Sequence, residues 1–330
     1  MEDTFKMARK KTNSIRVLGI NAALFSAFFL GMAPIFGKQA IEYGVSPLGV
    51  VAARTLLATL LLFLMVLIFQ RKYLFIYPAG LIGCLLAGSI NGIGSLFYYS
   101  ALGKIDAGLG QLLYSLYPFF VAFWMFLDKQ KISKMTILRL GIAVLAVVLL
   151  VQPSGSTTDT WIGIVMMLVA AALYGLHLPI NQRVLYDIPA PTVTLYTLIA
   201  MSAVVVPTYL FQAKLGQDIQ FTQALWPVLG LTLVTFFSRL TLFTGVKHLG
   251  GLQTALLGLS ELFITLILSQ LWLGESLAWP QWIGAGMLFI SLLLVAWEKS
   301  PPPKESQGGW LGWLTAPKSV HPQDIIPPHD

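Results

Sequence analysis

The chain contains ten apolar segments, most of them long enough to cross a lipid bilayer as a helix. A membrane-spanning helix needs about 20 mainly apolar residues, since each residue advances about 1.5 Å along the helix axis. The ten segments cover residues 17–37, 47–69, 79–102, 108–127, 137–151, 161–183, 191–211, 224–246, 252–273 and 281–297. The fifth segment is the shortest. This pattern predicts an all-α membrane protein with ten transmembrane helices.

The charge content supports this prediction and narrows the chemistry. Only 11% of the residues are charged, whereas soluble domains carry about 25%. The lipid bilayer is therefore an expected partner of the protein. Cys84 is the single cysteine, which excludes an intramolecular disulfide and a cysteine-based metal cluster. We expect no cofactor and no metal site.

The distribution of Lys and Arg predicts the orientation of the segments. With a cytoplasmic N-terminus, 16 Lys and Arg fall on the cytoplasmic side and three on the other, while Arg54 and Arg239 lie within segments. Cytoplasmic loops of membrane proteins are enriched in these residues. The bias predicts that both termini are cytoplasmic. It also explains the formal charge of +7 without a nucleic-acid partner.

A gap-free internal repeat relates the two halves of the chain by an offset of 144 residues. The matched pairs include Gly19 with Gly163, Gly31 with Gly175, and Pro47 with Pro191. Each half holds five segments, so the second half enters the membrane from the opposite side. We expect two inverted five-helix repeats, residues 17–151 and 161–298, flanked by a cytoplasmic N-terminal segment (1–16) and a disordered cytoplasmic tail (299–330). Inverted repeats are typical of secondary transporters, whose solute site lies between the halves.

Short motifs in both halves resemble those of EamA-type transporters of the drug/metabolite transporter superfamily. They are Gly31–Lys38, Ser46–Pro47, Ala52–Arg54, Tyr98–Leu102, Tyr117–Pro118, Ser260–Leu262, Leu273–Glu275 and Gly284–Gly286. The chain departs from the family pattern at Asp128–Lys129, where a Gly-Glu pair is frequent, and at Leu262, where Pro is frequent. The resemblance implies an inner-membrane protein that exports or exchanges a small metabolite. It does not identify the solute or the oligomeric state.

Ionisable residues inside predicted spans are the first candidates for a solute site, because a charge at the centre of a membrane helix costs about 2.5–3.5 kcal/mol. Glu261 lies near the middle of the ninth segment. It belongs to a polar stripe at helical spacing that comprises Thr254, Gly258, Glu261, Thr265 and Ser269. Such a stripe is suited to a cavity wall, with Glu261 as a proton-exchange group. The alternative is an interhelical hydrogen bond or salt bridge.

Two arginines inside spans are the next candidates. Arg239 lies past the middle of the eighth segment, and its guanidinium is suited to binding a carboxylate or phosphate. It is otherwise a partner for Glu261 or a side chain that reaches towards the cytoplasm. Arg54 lies seven residues into the second segment, so it contacts solute or acts as a structural anchor.

Polar and aromatic residues complete the predicted solute-binding set. The repeat places Tyr114 and Tyr117 at the positions of Gly258 and Glu261, and aligns Asn91 with Thr235 on the face of Arg239. The remaining members are Tyr98, Tyr174 and His177. For the tyrosines the alternative is ordinary aromatic packing, and for His177 it is a simple hydrogen bond.

The sequence therefore predicts a secondary transporter for a small metabolite, of the amino acid, organic acid or amine class, working by alternating access with possible proton coupling. A membrane enzyme is disfavoured because the chain lacks H-E-x-x-H and P-loop motifs. A channel fits less well, because the polar residues are unlike and do not form a repeated ring. A sensor or structural protein that does not transport remains the alternative.

Overall fold

The computed structural model describes residues 2–128, 134–150, 158–212, 221–275 and 279–294. Within them lie twelve α-helices and one short 3₁₀ helix, Arg71–Leu74. The first six α-helices are α1 (Glu2–Glu42), α2 (Pro47–Phe69), α3 (Pro78–Leu102), α4 (Ala107–Tyr114), α5 (Tyr117–Leu127) and α6 (Lys134–Leu150). The others are α7 (Thr158–Leu185), α8 (Ala190–Gln212), α9 (Phe221–Leu249), α10 (Gly251–Gly258), α11 (Glu261–Trp272) and α12 (Trp279–Leu293). The tail expected to be disordered, 299–330, lies outside the described residues.

Eight stretches of the described chain are long and apolar enough to cross a membrane. Six are single helices, and two combine a pair of helices, α4 with α5 and α10 with α11. The predicted fifth and tenth spans correspond to α6 and α12, which have 17 and 15 described residues. A helix of that length covers about 22–26 Å, less than the roughly 30 Å of a hydrocarbon core. The eight spanning-length stretches make this a multi-pass membrane protein, and its described residues are all-helical.

The turn between α1 and α2 illustrates how the sequence ends one span and starts the next. Gly44 adopts a φ of 90°, the left-handed conformation in which glycine commonly ends a helix. The Ser46 hydroxyl then accepts a hydrogen bond from the amide of Gly49 at 3.1 Å. Pro47 follows at the first helical position, where its missing N–H costs nothing.

The distribution of side chains is the reverse of that in a soluble protein. Large apolar side chains face outwards, such as Phe211, which is 90% exposed. Three charged side chains within the spans face inwards instead. Arg54, Arg239 and Glu261 are 5%, 4% and 2% exposed. Lipid solvates the apolar exterior, whereas the charged groups need polar neighbours that only the protein interior supplies.

Helix packing follows the internal repeat found in the sequence. The most extensive contacts join α1 to α9 and α3 to α7. The repeat offset converts α1 into α7 and α3 into α9, so these two contacts are equivalent. The contacts of α2 with α8 and of α6 with α12 map onto themselves. The two halves therefore interlock through matching helix pairs.

Two equivalent glycines allow further close approaches between helices. A Cβ atom added at Gly31 would lie 2.6 Å from the carbonyl oxygen of Glu261. At Gly175, the repeat equivalent of Gly31, it would lie 3.0 Å from the carbonyl oxygen of Tyr117. Tyr117 and Glu261 are themselves equivalent positions of the repeat. The same small-residue contact thus seats α1 against α11 and α7 against α5.

Replacing either glycine is expected to separate these helices. Gly31→Ala and Gly175→Ala should each destabilise the protein by about 1–3 kcal/mol, because a methyl group has no room against a neighbouring backbone. Thermal unfolding in detergent measures the change. Gly141→Ala is the control, since nothing lies within 4 Å of a Cβ added there. Equal melting temperatures for all three variants would contradict the assigned contacts.

Candidate functional site

Two spans are broken at equivalent positions in the middle of the molecule. Residues 115–116 separate α4 from α5, and residues 259–260 separate α10 from α11. Tyr117 begins α5 and Glu261 begins α11. The sequence analysis treated each span as one continuous helix, which is wrong at these two points. A helix start carries partial positive charge, which favours a carboxylate in its first turn.

A cavity of about 40 Å³ lies beside these breaks. Its walls come from both halves of the chain, on α1, α2, α3, α4, α7, α9 and α11. The lining residues are Leu30, Ala33, Arg54, Asn91, Gly94, Ser95, Tyr98, Tyr99, Gln111, Tyr114, Ala170, Tyr174, Arg239 and Glu261. A volume of this size is close to the roughly 30 Å³ share of one liquid water. A metabolite therefore requires the walls to move apart.

Glu261 is the one member of the predicted polar stripe that reaches the cavity. Its Oε1 atom has no hydrogen-bond partner among the described residues. The Thr265 hydroxyl donates to the carbonyl of Gly31 at 2.7 Å, and the Thr254 hydroxyl donates to Gly250. The stripe was predicted as one cavity wall. The break at 259–260 separates Thr254 and Gly258 from the rest of the stripe, and the stripe's hydroxyls donate to helix carbonyls instead.

Arg54 spans the two halves inside the cavity. Its Nη1 donates to the Thr235 hydroxyl at 3.2 Å, and its Nη2 donates to the Ser95 hydroxyl at 3.3 Å. The guanidinium carbon lies 4.7 Å from the ring centre of Tyr99, within the range of a cation–π interaction. The sequence offered two roles for Arg54, contact with solute and structural anchoring. The geometry is compatible with both, because Arg54 lines the cavity and also makes several anchoring contacts.

Arg239 lies over the ring of Tyr174, with its guanidinium carbon 5.5 Å from the ring centre. Its Nε and Nη1 atoms have no hydrogen-bond partner among the described residues. It lines the cavity together with Glu261, but among the described side chains no ion pair joins the two. Arg239 therefore presents free N–H donors to the cavity.

Aromatic rings form a continuous wall on one side. The ring centres of Tyr98 and Tyr114 are 4.9 Å apart, and those of Tyr114 and Tyr174 are 5.3 Å apart. The Tyr98 hydroxyl donates to the side-chain oxygen of Gln111 at 3.4 Å. Rings at these distances make favourable edge and tilted contacts. This wall offers both an apolar surface and hydroxyl groups.

Tyr117 and His177, both predicted as solute contacts, lie outside the cavity lining. The Tyr117 hydroxyl donates to the carbonyl of Ala255 at 3.0 Å and fills the space beside Gly258. His177 is fully buried, and its Nδ1 lies within hydrogen-bond distance of the carbonyl of Tyr174. Because a carbonyl only accepts, Nδ1 carries the proton. Both side chains brace the residues that line the cavity.

The cavity also contains residues that the sequence analysis did not select as candidates. Asn91 was selected and lines it, donating weakly to the sulfur of Met201 at 3.5 Å. Gln111 and Tyr99 were not selected, although both line it. Gln111 is 2% exposed, and an amide in an apolar segment is a usable signal. Tyr99 had none beyond its place beside Tyr98.

Polar contacts close the bundle at the end where α4 begins. The Glu275 carboxylate accepts hydrogen bonds from the amides of Ala107 at 2.8 Å and Gly108 at 2.9 Å. The Lys38 ammonium donates to the carbonyls of Leu102 and Ile105. Glu275 therefore caps the start of α4, in the other half of the chain.

Equivalent contacts close the opposite end. The side-chain oxygen of Gln182 accepts from the amide of Gly251 at 2.7 Å, and Gly251 is the repeat equivalent of Ala107. Arg183 donates to Asp128 at 2.6 Å, with both side chains 0% exposed. Arg183 lies in the last turn of α7. Polar contacts thus join the two halves of the chain at each end of the bundle.

Comparison with known proteins agrees with this geometry. Residues 17–152 and 161–297 each match the EamA-like transporter family. The two matches cover most of the chain and follow the internal repeat. This multi-pass membrane protein therefore belongs to the EamA-like transporter family.

Individual relatives are distant. An uncharacterized transporter of Archaeoglobus fulgidus is 23% identical over 203 residues, which cover 61% of this chain and 71% of that protein. A solved crystal structure superposes with a TM-score of 0.64 at 15% identity, covering 86% of this chain and 98% of the other. At such low identity this likeness concerns the fold alone.

The packing of Tyr117 against Gly258 predicts a coupled pair. A Cβ added at Gly258 would lie 1.9 Å from the Tyr117 hydroxyl, so Gly258→Ala should lower the melting temperature. Tyr117→Phe removes that oxygen, and the double variant should recover about 1 kcal/mol or more of the loss. Additive effects of the two substitutions in a thermal-unfolding cycle would contradict this contact.

Proposed function

We propose that this protein is a secondary transporter that carries a small metabolite, of the amino acid, organic acid or amine class, by alternating access. The observation that carries the proposal is a central cavity lined by both halves, in which Arg239 and Glu261 present charged atoms without protein partners. A charge buried in this way within the membrane is costly, so its presence indicates a functional site. Membership of a transporter family supports the same function.

Alternating access is supported by the polar contacts that join the two halves at each end of the bundle. Glu275 caps the amide of Ala107 at one end, and Gln182 caps the equivalent amide of Gly251 at the other. Releasing one cap while keeping the other opens the cavity to one side only. We further infer that α6 and α12 complete two inverted five-span repeats, with the nine predicted residues acting on solute directly or through their neighbours.

The family and the charge bias support a location and an orientation, respectively. We propose that the protein lies in the inner membrane, as the resemblance to EamA-type transporters implies. Both termini then lie in the cytoplasm, since Lys and Arg are concentrated on that side of the predicted topology. The Glu275 end then faces outwards and the Gln182 end faces the cytoplasm.

Transport is tested with purified protein in liposomes. Saturable counterflow of at least one labelled amino acid, organic acid or amine is expected. Arg239→Ala should abolish it, while Arg71→Gln, an exposed arginine outside the cavity, should leave it unchanged. Saturable binding without flux would overturn the proposal in favour of a sensor.

Glu261 is the proposed proton site, because it is the one carboxylate among the cavity-lining residues. Flux into liposomes should respond to an imposed pH gradient and should change the internal pH. Glu261→Gln should lose this response, since an amide cannot exchange a proton at this pH, but should retain solute exchange. Glu42→Gln, a carboxylate at the end of α1 and outside the cavity, is the control. A pH response that survives Glu261→Gln would exclude Glu261 as the coupling group.

Glu275 is the proposed outer latch. Glu275→Ala leaves the amides of Ala107 and Gly108 without their carboxylate partner, so the outward-open population should rise about tenfold or more. The reporter is the labelling rate of a cysteine at the cavity residue Ala33, in a Cys84→Ser background. Lys104→Ala is the control, because its pair with Asp159 is partly exposed and contributes little. An unchanged labelling rate in Glu275→Ala would exclude the latch.

A further inference from the structure

The unpartnered polar atoms of the cavity describe the group that fits it. Among the described residues lining the cavity, three arginine nitrogens and one carboxylate oxygen lack a hydrogen-bond partner. The donors are Arg54 Nε, Arg239 Nε and Arg239 Nη1, and the acceptor is Glu261 Oε1. The Gln111 side chain interacts with the Glu261 carboxylate. Leaving such atoms unpaired in the interior costs free energy. A ligand that satisfies them must be rich in acceptors.

The charges lead to the same ligand class. Arg54 and Arg239 contribute two positive charges, and Glu261 contributes one negative charge when ionised. The net charge of the lining is therefore +1 with Glu261 ionised and +2 with Glu261 protonated. In both states an anion complements the cavity and a simple cation is repelled.

The arginines are also placed to hold an anion between the two halves. Arg54 is fixed by the hydroxyls of Ser95 and Thr235, so its guanidinium is pre-oriented. Arg239 is held over Tyr174 with two free donors. Planar guanidinium groups match the two oxygens of a carboxylate. The tyrosine wall favours a single carboxylate on an apolar body over a more highly charged phosphate.

We propose that the recognised group of the solute is a carboxylate, bound by Arg239 with Arg54 completing its contacts. The proposal rests on the proposed transport function and narrows its solute to carboxylic acids, amino acids included. The apolar part of the solute lies against Tyr98 and Tyr114. Glu261 sets how much negative charge the cavity accepts.

The test uses the full chain and solutes that differ only in the head group. Four-carbon, six-carbon and phenylpropyl skeletons each carry a carboxylate, an α-amino carboxylate, an amine, an alcohol or a phosphonate. Binding is measured as thermal stabilisation in detergent. A carboxylate series should bind saturably, and Arg239→Gln should weaken it about 10- to 100-fold. Arg71→Gln is the matched control and should bind as the natural chain does.

Glu261→Gln tests the charge argument independently. At a pH at which Glu261 is ionised, this substitution changes the lining charge from +1 to +2, so succinate should gain affinity relative to butyrate. This gain needs an unchanged fold, which the melting temperature of the unliganded variant reports. Loss of both ligands with a normal melting temperature would overturn the assigned role of Glu261 in setting charge.

The outcomes separate this proposal from the proposed function. Saturable binding and flux of amines or phosphonates in place of carboxylates would overturn the carboxylate site and leave the transporter standing. Carboxylate binding without flux of any solute would overturn transport and leave the site standing. No binding by any carboxylate of the three skeletons would overturn the carboxylate site.

Discussion

The hydrocarbon core of a lipid bilayer cannot form hydrogen bonds with a polypeptide, and this constraint governs the whole structure. Backbone breaks and charged side chains are tolerated only where protein surrounds them. The two broken spans interrupt their helices at 115–116 and 259–260, in the interior beside the cavity. The hydroxyls of Ser115 and Ser260 donate to carbonyls within the preceding turn. Breaks before Tyr117 and Glu261 are therefore possible because both lie in the protein interior.

Close packing of the halves makes that interior. Gly31 and Gly175 allow α1 and α7 to lie directly on the backbones of α11 and α5. Their neighbours Leu30 and Tyr174, themselves equivalent positions of the repeat, then reach the cavity. A side chain at either glycine would separate the helices that bear the site. The geometry of the cavity thus depends on glycine at both positions.

The two halves share a frame and differ in chemistry at equivalent positions. Arg239 stands where the first half has Ser95, and the Arg54 guanidinium donates to that serine. A carboxylate, Glu275, closes one end, whereas an amide, Gln182, makes the equivalent contact at the other. Among the described residues, a fully buried ion pair, Asp128 with Arg183, is found at the second end. Differences of this kind make the two ends of the bundle chemically distinct.

The sequence by itself determined the all-helical membrane fold, the offset between the two repeats and the charged candidates. These follow from apolar length, from glycine and proline matches, and from the cost of placing Arg54, Arg239 or Glu261 in lipid. Eight of the predicted spans have spanning length in the described chain.

Only the tertiary structure decided which candidates meet. Helical periodicity placed Thr265 and Ser269 beside Glu261, but their hydroxyls donate to the carbonyls of Gly31 and Leu266. Tyr117 was matched to Glu261 by the repeat, yet its ring fills the gap left by Gly258. Periodicity along one helix cannot register which neighbour lies opposite, and it is that neighbour that directs a side chain into the cavity or away from it.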